Sequence, residues 1–397
     1  MSDTATKILF VAHDAYRAGG TLFLLNMVRW LIKHSSLDIA VALRAQGEMV
    51  QAFAEVCPTF VLSTASTPRR TLRDRVRNFL KGTDSKATPL RDLQSLINQL
   101  RPDLLYLNTI TQGDLLEGLE LANTKVLSHV HELPSAIRQY GRGKAHVQLH
   151  ASDHIIGVSN AVTEHLARQF ASEAHKIERI YGFVPVDTVP SAPKDQLRTH
   201  LLGPLGIEPN AWVIGFCGHG NIRKGADLAV PFARLFPTHT QGRPIHFVWL
   251  GANAPEYPFE TAQDDLRRAG LAGRMHFVGV SKTPADWIST FDLHVLLARE
   301  DSFPLVVMEA ASLGVPTVCF DQSGGAPEFV REDAGRATPY MDLPGMAEAV
   351  MELLSEASKM HDMGEVAKHR VRTEHAPDVI LPRILDAIYH TLDQSRG

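Results

Sequence analysis

Short apolar runs recur along the chain, each followed by a polar or glycine-bearing stretch and then by apolar positions at three- and four-residue spacing. Runs of this kind, rich in Val, Ile and Leu and bounded by turn residues, suit strands buried on both faces of a parallel sheet. The first covers 7–12; a loop carrying Gly19 and Gly20 follows it, then helical spacing over 22–34. Further strands are predicted at 38–43, 104–107, 125–130 and 154–158. A second series is predicted at 212–216, 245–250, 275–278, 293–297 and 317–320. Strands alternating with helices in this rhythm predict an α/β protein of two Rossmann-like, doubly wound domains. Between the two series Pro185, Pro190 and Pro193 punctuate a linker, so the hinge is expected within 185–205. The first domain is accordingly 1–190 and the second 205–375.

One segment breaks the rhythm. Over 69–81, Leu72, Val76, Phe79 and Leu80 fall at helical spacing among Arg69, Arg70, Arg73, Arg75, Arg77 and Lys81. A basic amphipathic helix suits an anionic membrane surface; the alternative is a surface helix whose apolar stripe packs on its own domain.

Bulk properties narrow the picture. A length of 397 residues accommodates two cores, and 44% hydrophobic with 21% charged residues is ordinary for a soluble globular chain. A net charge of −4 gives no footing for a nucleic-acid binder. Cys57, Cys217 and Cys319 are far apart and odd in number, so no disulfide framework is implied and a reducing cytoplasm fits. The polar N-terminal residues lead straight into a strand, without the charged and apolar regions of a secretory leader, and no apolar stretch is long enough to span a membrane. The expected location is the cytoplasm, with 69–81 as the one candidate for peripheral contact with the inner face of the plasma membrane.

Candidate chemistry gathers where the second series turns from strand to helix. Asp301 and Glu309 stand eight positions apart across a predicted loop and helix start, with Pro304 expected at the first helical position. Helical side chains lean back toward the N-terminus, so both acids can face one point above free backbone amides that favour an anion. An anion flanked by two acceptor groups suits a sugar nucleotide, with phosphates on amides and hydroxyls on carboxylates. Taken alone, Glu309 is equally well a solvated helix residue and Asp301 a loop acid. After the strand at 212–216 comes Gly218-His219-Gly220-Asn221-Ile222-Arg223-Lys224-Gly225, ahead of a helix predicted over 226–236. Its glycines permit close approach to a diphosphate and Lys224 supplies charge, while a basic loop without function is the alternative. His131 ends the strand 125–130, at the edge where doubly wound sheets place ligands; a structural histidine is the competing reading. His146, His150 and His154 are spaced by four, yet neither Cys nor acid accompanies them, so no metal ligands are assigned.

In their order and spacing these elements resemble the retaining GT-B glycosyltransferases of family 4. The resemblance runs over nearly the whole chain, from the Gly19-Gly20 loop through Pro102-Asp103-Leu104, His129-Val130-His131-Glu132 and Ser152-Asp153-His154 to Ser323-Gly324-Gly325-Ala326-Pro327-Glu328. It implies two domains facing a central cleft, an N-terminal acceptor domain, a C-terminal donor domain, and a helix in 376–397 that crosses back. By the same resemblance Asp301 stands where the first Glu of a Glu-x7-Glu pair belongs and contacts the donor sugar, and Glu309 takes the ribose hydroxyls. Ser302, Phe303, Pro304 and Leu305 complete the loop, with Phe303 and Leu305 offering amides to the phosphates. Gly218, His219, Arg223 and Lys224 line the phosphates, Gly19 and Gly20 let backbone approach the donor's phosphate or the acceptor, and His131 lies beside the reacting sugar. His219 replaces an arginine of the family pattern, with Arg223 beside it to compensate.

The implied activity is transfer of a sugar from a UDP- or GDP-linked donor to a hydroxyl of a glycan or lipid-linked acceptor, with retention. No cofactor is implied, and without an Asp-x-Asp motif no divalent metal. The alternatives are a non-catalytic or divergent nucleotide-sugar-binding relative and a sugar-nucleotide epimerase.

Overall fold

The computed structural model describes residues 5–13, 15–16, 19–62, 87–141, 143–186, 188–251 and 259–394. The basic stretch 69–81 lies outside the described residues. The chain forms two compact units, one from residues up to 180 together with 381 onward, the other from 181–380 with 159–161.

In the first unit, strands β1 (Lys7–Ala12), β2 (Asp38–Leu43), β3 (Thr59–Val61), β4 (Leu104–Leu107), β5 (Lys125–Val130), β6 (His154–Gly157) and β7 (Ile177–Arg179) form a parallel sheet. Its order is β3-β2-β1-β4-β5-β6-β7. In the second, β8 (Trp212–Cys217), β10 (Arg243–Leu250), β11 (Met275–Val278), β12 (Leu293–Leu296), β13 (Thr317–Phe320) and β14 (Gly335–Thr338) lie in the order β11-β10-β8-β12-β13-β14, and short β9 (His239–Thr240) pairs antiparallel with β10. Both orders reverse direction at one place, between β1 and β4 and between β8 and β12. Beyond the carboxyl ends of the strands at such a reversal the flanking loops diverge and leave a crevice for ligand.

A recurrent acid sets the register. Asp103, Asp153 and Asp292 each precede a strand and accept a backbone N–H of the neighbouring strand, from Lys7 at 2.8 Å, Val126 at 2.8 Å and Val213 at 2.9 Å. The central strands are buried along nearly their whole length, and in the second unit Phe216, Phe247 and Trp249 stack through the core against Phe232 of the helix Ala229–Ala233 and Phe236 just beyond it.

Several sequence expectations need correcting. Gly19 and Gly20 are not in a loop; they open the helix Gly19–His34. Poor helix formers are tolerated there because the first turn has no intrahelical N–H bonds to lose, and the buried face of Phe23, Leu24, Met27, Val28 and Leu31 holds the helix in place. Pro304 is the cap with extended backbone (φ −71°, ψ 110°), one residue before the helix Leu305–Ser312. The helix expected over 226–236 is a 3-10 turn, Ala226–Leu228, followed by the short helix Ala229–Ala233, because Pro231 lacks the N–H a longer first segment would require. Lys194–Leu205 in the presumed linker is helical in three short pieces and belongs to the second unit. Arg198 anchors it, buried against the carbonyls of Thr290, Pro209 and Ala211 and paired with Asp292 at 2.6 Å. Strands β3, β7, β9 and β14 have no distinct apolar run; pairing and coverage by neighbours specify them, which a one-dimensional pattern does not show.

Candidate active site

In the second unit, the loops after β8 and β12 meet at the reversal. The β8 loop opens on Gly218 at φ +130°, whose carbonyl accepts from the Trp249 indole at 2.9 Å. Asn221 then caps the turn, its side chain accepting the N–H of Lys224 at 2.9 Å. Gly225 closes the loop in the left-handed region at φ +75°, and a Cβ there would lie 2.0 Å from the Leu297 carbonyl oxygen. The glycine is therefore needed both for its backbone conformation and for the close approach of this loop to the end of β12.

Arg299 fastens the two loops. Its guanidinium forms a two-pronged pair with Asp227 at 2.8 Å and 2.8 Å and also donates to the Ile222 carbonyl at 2.6 Å. Its N–H donates to the Arg223 carbonyl at 2.8 Å, and the Arg223 guanidinium donates to the Glu300 carbonyl at 2.9 Å. Part of the donor capacity of Arg223 thus goes into shaping the loop. The Asp301 backbone is fixed on its other side: its N–H reaches the Ser323 carbonyl at 2.7 Å and its carbonyl accepts from Gly325 at 3.0 Å. A Cβ on Gly325 would meet the Ser302 carbonyl oxygen at 2.4 Å, so the Gly324-Gly325 pair serves loop-to-loop contact.

On this frame the charged groups converge. The Lys224 ammonium is paired with the Asp301 carboxylate, the two side chains only 14% and 10% exposed. Glu309 leaves its surface open to solvent, yet the protein around it raises its carboxyl above the usual range, opposed by the charge of Lys224. Among the described residues its carboxylate makes no ion pair. Beneath it the buried Cys217 thiol is pushed up by burial and then by Glu309, with Lys224 opposing. His294 is buried and lowered to about 3, first by burial and then by Lys224, so it is neutral at pH 7. His219 is exposed, and Ser302 and Leu305 are half-buried. The Phe303 ring turns away into an aromatic cluster, 5.0 Å from Tyr181 and 5.2 Å from His375. Only the backbone of Phe303 therefore faces the loop's chemistry. At the start of the helix Leu305–Ser312 the Val307 amide donates to the Pro304 carbonyl at 3.1 Å, and the Leu305 and Val306 amides have no intrahelical acceptors.

In the first unit, the reversal edge is built differently. Asn108, after β4, donates through Nδ2 to the Gly20 carbonyl at 3.3 Å, which directs its Oδ1 to His131 Nε2 at 3.2 Å. Since a carbonyl can only accept, the amide orientation is fixed, and the neutral imidazole carries its proton on Nε2 with Nδ1 left as an acceptor. Burial lowers His131 to about 4. Beside it His129 is lowered further by burial and by His131, its Nδ1 lying 2.7 Å from the Tyr106 hydroxyl. Glu132 accepts from the Thr109 hydroxyl and from the N–H groups of Ile110 at 3.2 Å and His131 at 3.0 Å. Burial raises its carboxyl despite those donors.

Of the second-unit residues predicted from sequence, Gly218, Asp301 and Glu309 lie around Lys224, and Gly20 and His131 meet through Asn108. Sequence reasoning missed Asn108, Glu132, Arg299, Asp227 and Asn221. Of these only Asn221 carried a legible signal, a capping residue immediately ahead of a turn; the others are partners supplied by the fold. His146 and His150 do share the helix Ala145–Ala151, while His154 opens β6 and pairs with Glu178 at 3.3 Å. Among the described residues no group of three His, Cys, Asp or Glu side chains is placed to hold a metal ion, and no helix is long and apolar enough to cross a membrane.

Comparisons with known proteins agree with this layout. Residues 32–188 match the family model of glycosyltransferase family 4, and 211–356 that of the glycosyl transferases group 1. The chain is 30% identical over 168 residues, 41% of its length and 47% of the relative's, to the lipopolysaccharide core biosynthesis mannosyltransferase LpsB of Rhizobium meliloti (strain 1021). It is 24% identical over 248 residues, 62% of each protein, to the N-acetyl-alpha-D-glucosaminyl L-malate synthase of Bacillus anthracis. It therefore spans less than two thirds of the length of these curated relatives. The fold matches that of Anabaena HepE, solved with UDP and with UDP-glucose, at a TM-score of 0.79 and 19% identity in the UDP complex, over 97% of this chain and 100% of the other.

Proposed function

We propose, for what its two matched domains make a family 4-like glycosyltransferase chain of GT-B fold, that it moves a sugar from a nucleoside-diphosphate donor to a hydroxyl acceptor with retention and without a metal. The observation that carries this reading is the convergence of Lys224, Asp301 and Glu309 at the sheet reversal, over the start of the helix Leu305–Ser312. Phosphate oxygens suit Lys224, His219 and the amides near 305; vicinal hydroxyls suit the two carboxylates. The UDP in the HepE structure makes UDP the first nucleotide to try.

In the proposed step the bond from the anomeric carbon to the diphosphate oxygen breaks and a bond to the acceptor oxygen forms on the same face. The acceptor proton passes to the departing phosphate oxygen, and Lys224 stabilises the charge that develops there. Neutral His131 offers Nδ1 to a sugar hydroxyl without adding charge. The acceptor, a glycan or lipid-linked hydroxyl, is assigned to the first unit, where the polar groups are neutral or already satisfied.

The test is release of nucleoside diphosphate from a panel of UDP- and GDP-sugars, with chelator present and with the anomeric configuration of the product determined. Turnover and donor binding unchanged in both Lys224→Ala and Glu309→Ala would overturn the site. Donor binding without turnover on any acceptor would favour the non-catalytic reading. Peripheral membrane contact through 69–81 is a separate proposal, checked by binding to anionic vesicles before and after Arg-to-Glu changes there.

A further inference from the structure

The two acids of the donor edge are in different states. Glu309 is open and without an ion pair among the described residues, whereas Asp301 is spent on Lys224, the cation assigned to the diphosphate. We infer that the Lys224–Asp301 pair is an internal lock on the donor site: Asp301 stands in for the phosphate until a diphosphate takes Lys224, and only then is its carboxylate free for the sugar. The inference rests on the proposed donor reading and deepens it by naming the ligand the site selects, an intact sugar nucleotide over free nucleoside diphosphate.

The geometry supports an exchange made by side chains alone. The Asp301 backbone is held from both sides by Ser323 and Gly325, and the Lys224 backbone by the Asn221 cap and the turn at Gly225. Neither main chain has to move for the pair to open. The Lys224 stem lies over Gly218, 3.6 Å from where a Cβ would be, an ordinary contact distance. Charge accounting then sets the preference. Free diphosphate opens the pair and leaves Asp301 mostly buried and without its cation. A sugar nucleotide opens the same pair but supplies hydroxyl donors to the released carboxylate. The shorter aspartate matters here, because its reach is set by a fixed backbone on both sides.

The experiment measures binding of UDP and GDP, and of the corresponding sugar nucleotides without acceptor, to the intact chain by calorimetry. In the unaltered protein the sugar nucleotide is expected to bind about tenfold tighter than the free diphosphate, although the diphosphate carries more charge. In Asp301→Asn the lock is removed: free diphosphate binds about tenfold tighter than to the unaltered protein, a gain of about 1.4 kcal/mol, and the sugar preference disappears. Should Asp301→Asn melt early, the order of affinities in the unaltered protein still decides. A free diphosphate that binds as tightly as the sugar nucleotide, with Asp301→Asn binding it no better, would overturn the lock while leaving the donor site standing. No binding of any nucleotide to the unaltered protein would instead overturn the donor reading itself.

Discussion

The two sheet-reversal edges share one topology and differ in chemistry. The edge between β8 and β12 concentrates formal charge, Lys224 against Asp301 and Glu309, with Arg223 at its rim and Arg299 drawn into a brace with Asp227. Among the described residues the edge between β1 and β4 carries little charge: His131 and His129 are driven below their usual range, Glu132 above its own, and Asn108 and Thr109 satisfy what remains. The same backbone solution therefore offers a place and not an activity; loop side chains decide what each edge can do. A charged edge suits a ligand that brings and releases charge. A neutral edge suits hydroxyls, which pay little to leave water when a fixed acceptor replaces it.

The contrast is exposed to direct attack. Its largest expected break is Lys224→Ala, which removes the ammonium proposed to face the diphosphate and should lower glycosyl transfer by about 10²- to 10³-fold, read as product formed per unit time at saturating donor. His131→Ala should leave nucleoside diphosphate affinity unchanged, so the loss of donor binding belongs to one edge only. Gly225→Ala tests the frame rather than the charge. With φ at +75° and the Leu297 carbonyl oxygen 2.0 Å from the added carbon, it should cost about 3 kcal/mol, seen as a lower denaturation midpoint that bound nucleotide partly restores.

The neutral edge has its own signature in pH. The folded value of His131, about 4, lies below its unfolded value near 6.5, so its contribution to stability is complete above 6.5. It is lost as pH falls from 6.5 through about 4, by at most about 3 kcal/mol at 1.36 kcal/mol per unit. His131→Gln should flatten that acid limb in a chemical-denaturation series. Glu132 has the opposite sign: a raised carboxyl loses stability as pH rises past the usual glutamate range, so Glu132→Gln should flatten the slope there. The smallest effect is expected from Arg299→Lys, which keeps the charge and loses the fork. It should lower kcat/KM about tenfold, mainly through KM, with little change in stability because the pair is about a third exposed.

Local pattern carried much of this. The strands at 38–43, 104–107, 125–130, 275–278 and 317–320 are bounded as their apolar runs suggest, and all but the half-buried edge strand at 275–278 are buried along nearly their whole length. Where a segment is specified by pairing, as in β7 and β14, or by one proline, as at Pro231, the pattern misled or was silent. At the site the same division holds. Asp301, Glu309 and Lys224 each had an ordinary reading taken alone, and were legible as candidates only through their joint order and spacing along the chain. Asn108, Glu132 and the Arg299–Asp227 brace were not, since a polar residue declares its role only when its partner is known, and each partner lies more than twenty positions away.

What the sequence by itself determined is the periodicity of two Rossmann-like halves and the residue types available at their loops. The tertiary structure decided which of those residues meet. It put Lys224 on Asp301 and, among the described residues, left Glu309 without an ion pair, because two loops separated by seventy-odd positions are braced together at one sheet reversal. The pairing of charges depends on distance in space, and the distances along this chain do not encode it.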